Sequence, residues 1–182
     1  MKDSAYDILV KISEDLYSPY KEKKEKKQKE WENSPFSWFV FDLTSSQKGA
    51  VGEKMVAKFL TQQGFSVSKS PGSDSDLAVN GHQVEVKCST LWEGGIYKFQ
   101  QIRDQDYSIL FCLGISPHEA HAWVARKADI DWNEISGQHT GEGAKDTSWT
   151  GFAPSQCPHT WMHPQTGDLT KVCGELRKII SS

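Results

Sequence analysis

The sequence predicts an α/β fold, and three observations carry that expectation. Val51, Met55, Val56, Phe59 and Leu60 recur at the spacing of one helix face, and Gly64 stands where such a helix would stop. Asn80-Gly81 lies between two runs that alternate apolar and polar residues, the strongest short-range signal for a β-hairpin. Two further apolar runs, Tyr107 to Ile115 and Ala120 to Ala125, flank a Pro117-His118-Glu119 turn and read as a second pair of strands.

The remaining elements follow in chain order. Ile8, Leu9, Ile12 and Leu16 give residues 4 to 17 the pattern of an amphipathic helix. Lys21 to Glu30 holds six lysines and three glutamates. Such a run is a solvated helix or linker, or a basic arm on a nucleic-acid backbone. Phe36, Trp38, Phe39, Val40 and Phe41 form an apolar cluster read as core or a dimer contact. The helix from Lys48 leads through Gly64 to a short strand, Phe65 to Ser68, and then to the hairpin. Tyr97 to Arg103 reads as a short helix ended by Asp104-Gln105-Asp106.

From Asp129 onward Gly, Thr, Ser and His dominate, with Trp132, Trp149, Trp161 and His139 among Gly137, Gly141, Gly143 and Gly151. At least two of those three tryptophans are expected to anchor core, and Glu175 to Ile180 to close the chain as a helix or strand. A chain of 182 residues is expected to form one domain with a decorated core. Residues 1–47 are its N-terminal helical segment with the charged run and aromatic cluster, 48–128 its core, and 129–182 a loop-rich C-terminal extension.

The hairpin concentrates the chemistry. A two-residue turn at Asn80-Gly81 pairs Val79 with His82 and Leu77 with Val84, which sets Asp76 opposite Glu85. Side chains alternate along a strand, so Leu77, Val79, Val84 and Val86 share a core face, with His82 beside them as a core or edge histidine. Asp74, Asp76, Glu85 and Lys87 share the other face. Like charges directly opposite across two strands are destabilising, and a divalent cation between the carboxylates is the simplest offset. Hard cations such as Mg²⁺ take oxygen ligands of this kind and keep positions open for phosphate oxygens and water.

Asp76 followed on the next strand by Glu85-Val86-Lys87 resembles the motif of the PD-(D/E)XK nuclease superfamily, the restriction-endonuclease-like fold. The resemblance covers about Lys48 to Lys127. Ser75 stands where the motif's name has proline, a position that varies in the superfamily. Asp74 is a rival for the first aspartate, and the pairing with Glu85 favours Asp76. Superfamily members often carry a first helix with a glutamate reaching toward the metal site, the place taken here by Glu53 at the edge of its helix's apolar face. Many carry a polar residue, often glutamine, on the helix after Glu-x-Lys, and Gln101 or Gln100 fits that place.

The resemblance implies a restriction-endonuclease-like core with a central mixed β-sheet flanked by helices. It further implies Mg²⁺, with Mn²⁺ as a substitute, held by Asp76 and Glu85 with the Val86 carbonyl as a further ligand, and Glu53 holding a second ion or orienting a metal-bound water. Lys87 would position or deprotonate the attacking water or stabilise charge on the phosphorus, and a lysine acting as a base needs a lowered pKa.

Composition agrees with this without demanding it. The formal net charge of −3 gives no global basic signature, although a nuclease with a carboxylate metal site can be acidic overall. No run of about 18 apolar residues offers a membrane span. Met1-Lys2-Asp3-Ser4 lacks the apolar core of a signal peptide, so the chain is read as cytoplasmic. Cys88 and Cys112 fall in strands as small core residues. Cys157, His159, His163 and Cys173 match no compact zinc-finger spacing, and zinc is not expected.

The function expected is a Mg²⁺-dependent endonuclease of restriction type on double-stranded DNA, working as a homodimer. The alternatives are a junction-resolving or repair nuclease of the same fold, RNA cleavage on that fold, and a non-catalytic DNA-binding module.

Overall fold

The computed structural model describes residues 5–137, 147–154 and 156–182. His139, Gly141 and Gly143 of the C-terminal expectation lie outside them. The described chain is a mixed α/β structure, with a five-stranded sheet at its centre. Strands β1 (Val67–Lys69), β2 (Leu77–Val79), β3 (His82–Thr90), β5 (Ile109–Ile115) and β6 (Ala120–Arg126) lie in the order β1-β2-β3-β5-β6. Only β3 and β5 run parallel. Asn80 and Gly81 both have positive φ (48° and 87°), the conformation that a two-residue hairpin turn of this hand requires. The register is the expected one, Val79 with His82 and Leu77 with Val84.

β5 is buried along its whole length, as its near-continuous apolar sequence requires. Ile109, Phe111, Leu113 and Ile115 face one core, with Val84 and Val86 of β3. Leu110 and Cys112 face a second core on the other side of the sheet.

The first core is covered by helices. Helix α3 (Ser45–Gln62) brings Val56 and Leu60 to it, and α4 (Leu169–Ile180) brings Val172, Cys173 and Leu176. α3 begins earlier than its apolar spacing shows, because the Thr44 hydroxyl and the Gln47 side chain each bond the other's backbone N–H, a reciprocal capping box. Buried Gly52 of α3 lies against Cys88 of β3. The Lys21 to Glu30 run is helical and continues the N-terminal helix as α1 (Ala5–Glu30). Of the aromatic cluster, Phe39 and Val40 of α2 (Ser37–Phe41) join the first core with Trp31, while Trp38 and Phe41 stay exposed.

The second core is covered by a smaller sheet of β4 (Tyr97–Ile102), β8 (Ser148–Phe152) and β7 (Ser136–Gly137), in the order β4-β8-β7. β4 corrects the sequence reading, which makes residues 97 to 103 a helix. Tyr97 and Phe99 alternate inward as strand residues do, and a register shift before Ile102 marks a bulge. Gly114 of β5 leaves room for the Tyr97 ring, which a Cβ there would strike. Trp161 is buried and Trp132 packs against this core, so two of the three C-terminal tryptophans serve as anchors.

Candidate active site

The site forms where the hairpin opens. The β2–β3 ladder ends at the Leu77–Val84 pair, because residues 71–74 bend away around Pro71-Gly72. Ser75 is buried at this bend, its Oγ 2.7 Å from Ser70 Oγ and 3.2 Å from Gln83 Oε1. Ser75 is thus a polar anchor of the bend. One further backbone bond holds, from Asp76 N–H to the Val84 carbonyl at 3.1 Å. The Asp76 side chain then continues the ladder: Val86 N–H donates to its Oδ2 at 2.7 Å. Within a strand a residue's N–H and carbonyl point to the same edge, so the Val86 carbonyl also faces this opening.

Glu85 and Lys87 project to the face opposite Val84 and Val86. The Lys87 ammonium donates to Glu85 Oε1 at 2.5 Å, and both side chains are largely buried. Burial pushes the Glu85 carboxyl above the ordinary range. The Lys87 charge and hydrogen bond oppose that shift, Asp76 adds to it, and Arg103 opposes it. Glu53 of α3 is half-buried and also raised, first by burial and then by the negative charges of Asp76 and Glu85. Lys87 and Lys54 oppose that rise.

Glu53, Asp76, Glu85, Val86, Lys87, Gln100 and Gln101 line one cleft of about 940 Å³. Asp74, the rival aspartate, does not line it, because the bend takes it off the ladder. Gln101 lies on the β4 bulge at φ 58°, not on a helix, and is exposed. Lys23, Lys26 and Lys27 of the α1 charge run reach the same cleft. Sequence reasoning passed over Lys98, Arg103 and Trp92, which line the cleft from β4 and the turns around it.

Among the described residues, no three His, Cys, Asp or Glu side chains stand close enough to hold a metal as they are. Cys157 and Cys173 sit in different cores on opposite faces of the main sheet. His159 is committed to Thr150 Oγ1 at 2.5 Å and Glu134 Oε2 at 3.1 Å, and His163 is exposed. Burial pushes the Cys88 thiol up to about 12, which suits a packing residue and not a nucleophile.

No family model and no curated protein matches this sequence. A solved structure of a bacterial homing endonuclease is similar at a TM-score of 0.46 and 15% identity, over 76% of this chain and 99% of that one. Among the described residues, no helix is long and apolar enough to cross a membrane.

Proposed function

We propose that the chain is a metal-dependent endonuclease that hydrolyses phosphodiester bonds of DNA at the Glu53, Asp76, Glu85 and Lys87 cleft. The observation that carries this is that three carboxylates and a lysine line one open cleft, with Glu53 and Glu85 both raised by burial and by the charge of Asp76. Buried like charges of this kind cost stability unless they serve a ligand.

The donor types suit a hard divalent cation, although the three carboxylates stand too far apart to hold one without drawing together. Asp76 and Glu85 each keep a second oxygen, the Val86 carbonyl faces the same opening, and Glu53 lines the same cleft. These four residues would hold Mg²⁺, or Mn²⁺ in its place. When bound, such an ion neutralises charge on the phosphate and makes a water acidic enough to attack. Lys87 then exchanges its bond to Glu85 for the phosphate or the attacking water and steadies the developing negative charge. Arg103 and Gln101 supply a second cation and an amide on the β4 side of the cleft. The lysines of α1 supply contacts to the phosphate backbone, which an overall negative chain must gather on one face.

Within this reading the substrate is double-stranded DNA, cut in the restriction manner by a homodimer. Leu9, Ile12 and Leu16 of α1 are exposed and offer apolar surface for a second copy, whose site would cut the other strand. Junction-resolving or repair cleavage on the same site is the second reading.

The test is incubation of the purified protein with supercoiled plasmid and phage DNA in Mg²⁺ and in EDTA. Asp76→Asn is the decisive variant. Its side-chain oxygen can still accept the Val86 N–H, so the fold stands while the charge is lost. Cleavage in Mg²⁺ that EDTA and Asp76→Asn both abolish supports the proposal; cleavage by Asp76→Asn at the parent rate refutes it.

A further inference from the structure

The cleft carries an aromatic ring that the hydrolytic chemistry does not use. Trp92 lines the cleft that Lys87 also lines and is 45% exposed, an unusual setting for the largest side chain. Its position is built. Trp92 N–H donates to the Ile96 carbonyl at 2.8 Å, and Gly94 and Gly95, both at positive φ, close the turn between them. Lys98 stands over the indole with its ammonium 4.4 Å from the ring centroid, and 5.7 Å from that of Trp149. A ring held at a turn, with a cation on it and the proposed phosphodiester site in the same cleft, has the parts of a base-stacking platform: an aromatic face for a base and a charge for the adjoining phosphate.

Stacking says which form of nucleic acid reaches that ring. An indole can stack only on a base whose face is free, so the base that meets Trp92 is one that has left its pair or was never paired. Lys23 of α1 also approaches Glu93, the neighbour of Trp92, at 3.8 Å, so the helix and the turn meet across the cleft. Both side chains are exposed, so this contact adds little stability.

We infer that Trp92 stacks on an unpaired base next to the scissile phosphate, so that the site takes a locally single-stranded stretch of DNA. The inference deepens the nuclease reading and rests on it for the identity of the cleft. A duplex substrate must open at the cut, and a frayed end, flap or bubble meets the site already open.

The experiment uses the full chain in EDTA and a short single-stranded oligonucleotide carrying 2-aminopurine, whose fluorescence falls on stacking. Wild-type protein should quench it, and should bind the single strand more tightly than the same sequence in duplex. Trp92→Ala should abolish the quench and weaken single-strand binding about 5- to 150-fold, the range of one lost stacking contact, and Trp92→Phe should restore most of both. Unchanged melting temperatures establish that the variants fold. Equal single-strand binding by wild type and Trp92→Ala overturns the inference, as does tighter binding of the intact duplex. Parallel incubations in Mg²⁺ separate the two claims. A Trp92-dependent quench without cleavage by any form keeps the platform and removes the nuclease. Cleavage with no Trp92 dependence of binding or quenching does the reverse.

Discussion

Gly52→Ala tests whether the contact between α3 and β3 sets the site. A Cβ at Gly52 would stand 2.6 Å from Cys88 Cβ and 3.0 Å from Cys88 Sγ. Ordinary carbon–carbon contact begins near 3.5 Å, so the helix must back away by roughly 0.9 Å, or the strand must yield. Both sides are packed core, and overpacking of this kind costs about 1–3 kcal/mol. For a chain of this size that is a fall in melting temperature of roughly 2–12 °C. Glu53 is the next residue, so it moves with the helix, and a displacement of about 1 Å at a reacting centre can cost about 100-fold in rate. Two companions sharpen the assay. Gly49→Ala sits on the same helix with nothing within 4 Å of its Cβ, and should stabilise by up to about 1 kcal/mol through helix propensity alone. Cys88→Ala keeps the Cβ and should not rescue Gly52→Ala, whereas Cys88→Gly should rescue it in part. Melting curves and plasmid cleavage are the readouts. A Gly52→Ala protein as stable and as active as the parent refutes the packing argument.

The other predictions concern charge. Glu85→Gln and Lys87→Ala should each remove cleavage with the fold kept, as circular dichroism will check; activity at the parent rate in either removes that residue from the site. Glu53 is raised in the folded chain above its unfolded value of 4.5, so below that pH it is protonated in both states and costs nothing. As pH rises, the unfolded chain loses its proton first, and the folded state loses stability until pH passes the raised folded value. Glu53→Gln should therefore melt higher than the parent near pH 8 and match it near about pH 4; equal melting temperatures at both would show that the burial and repulsion are not felt. Replacing Lys23, Lys26 and Lys27 together by Gln should lower the slope of log affinity against log salt by about 2–3, as three lost phosphate contacts require. An unchanged slope places DNA away from α1.

Much of the fold was legible because single residues decide it. Asn80-Gly81 fixed the turn and therefore the register of β2 on β3, and the apolar run of β5 announced a strand buried on both faces. The start of α3 was legible only in part: the apolar spacing gives its body, but the Thr44–Gln47 capping box extends it by a turn. Beyond Asp129 the sequence shows composition and little period, and the pairing of β8 with β4 is a long-range contact that no local pattern encodes.

The site was legible where the hairpin carries it and obscure where β4 completes it. Register carries the ladder only to the Leu77–Val84 pair, beyond which Asp76 bonds Val84 and Val86, and the bend at residues 71–74 keeps Asp74 out of the cleft, a bend that moves no periodicity. In β4 the spacing itself misleads. Tyr97 and Phe99 lie two apart, as in a strand, and Phe99 and Ile102 three apart, as in a helix. The bulge explains both. Gln101 at φ 58° adds one residue on the solvent side, so Gln100 and Gln101 are both exposed at the cleft before Ile102 returns to the core. A regular strand would bury one of them. The irregularity that defeats the sequence pattern also leaves two amides exposed in the cleft that Glu85 and Lys87 line, and bulges gather at such places because they re-aim side chains without breaking the sheet. Deleting Gln101 should restore the alternation, with Ile102 still inward and Arg103 still outward but drawn one residue back along the strand, and should lower cleavage more than Gln101→Ala does, with melting as the check on folding. If the deletion and the alanine variant cut alike, the bulge serves packing and not the site.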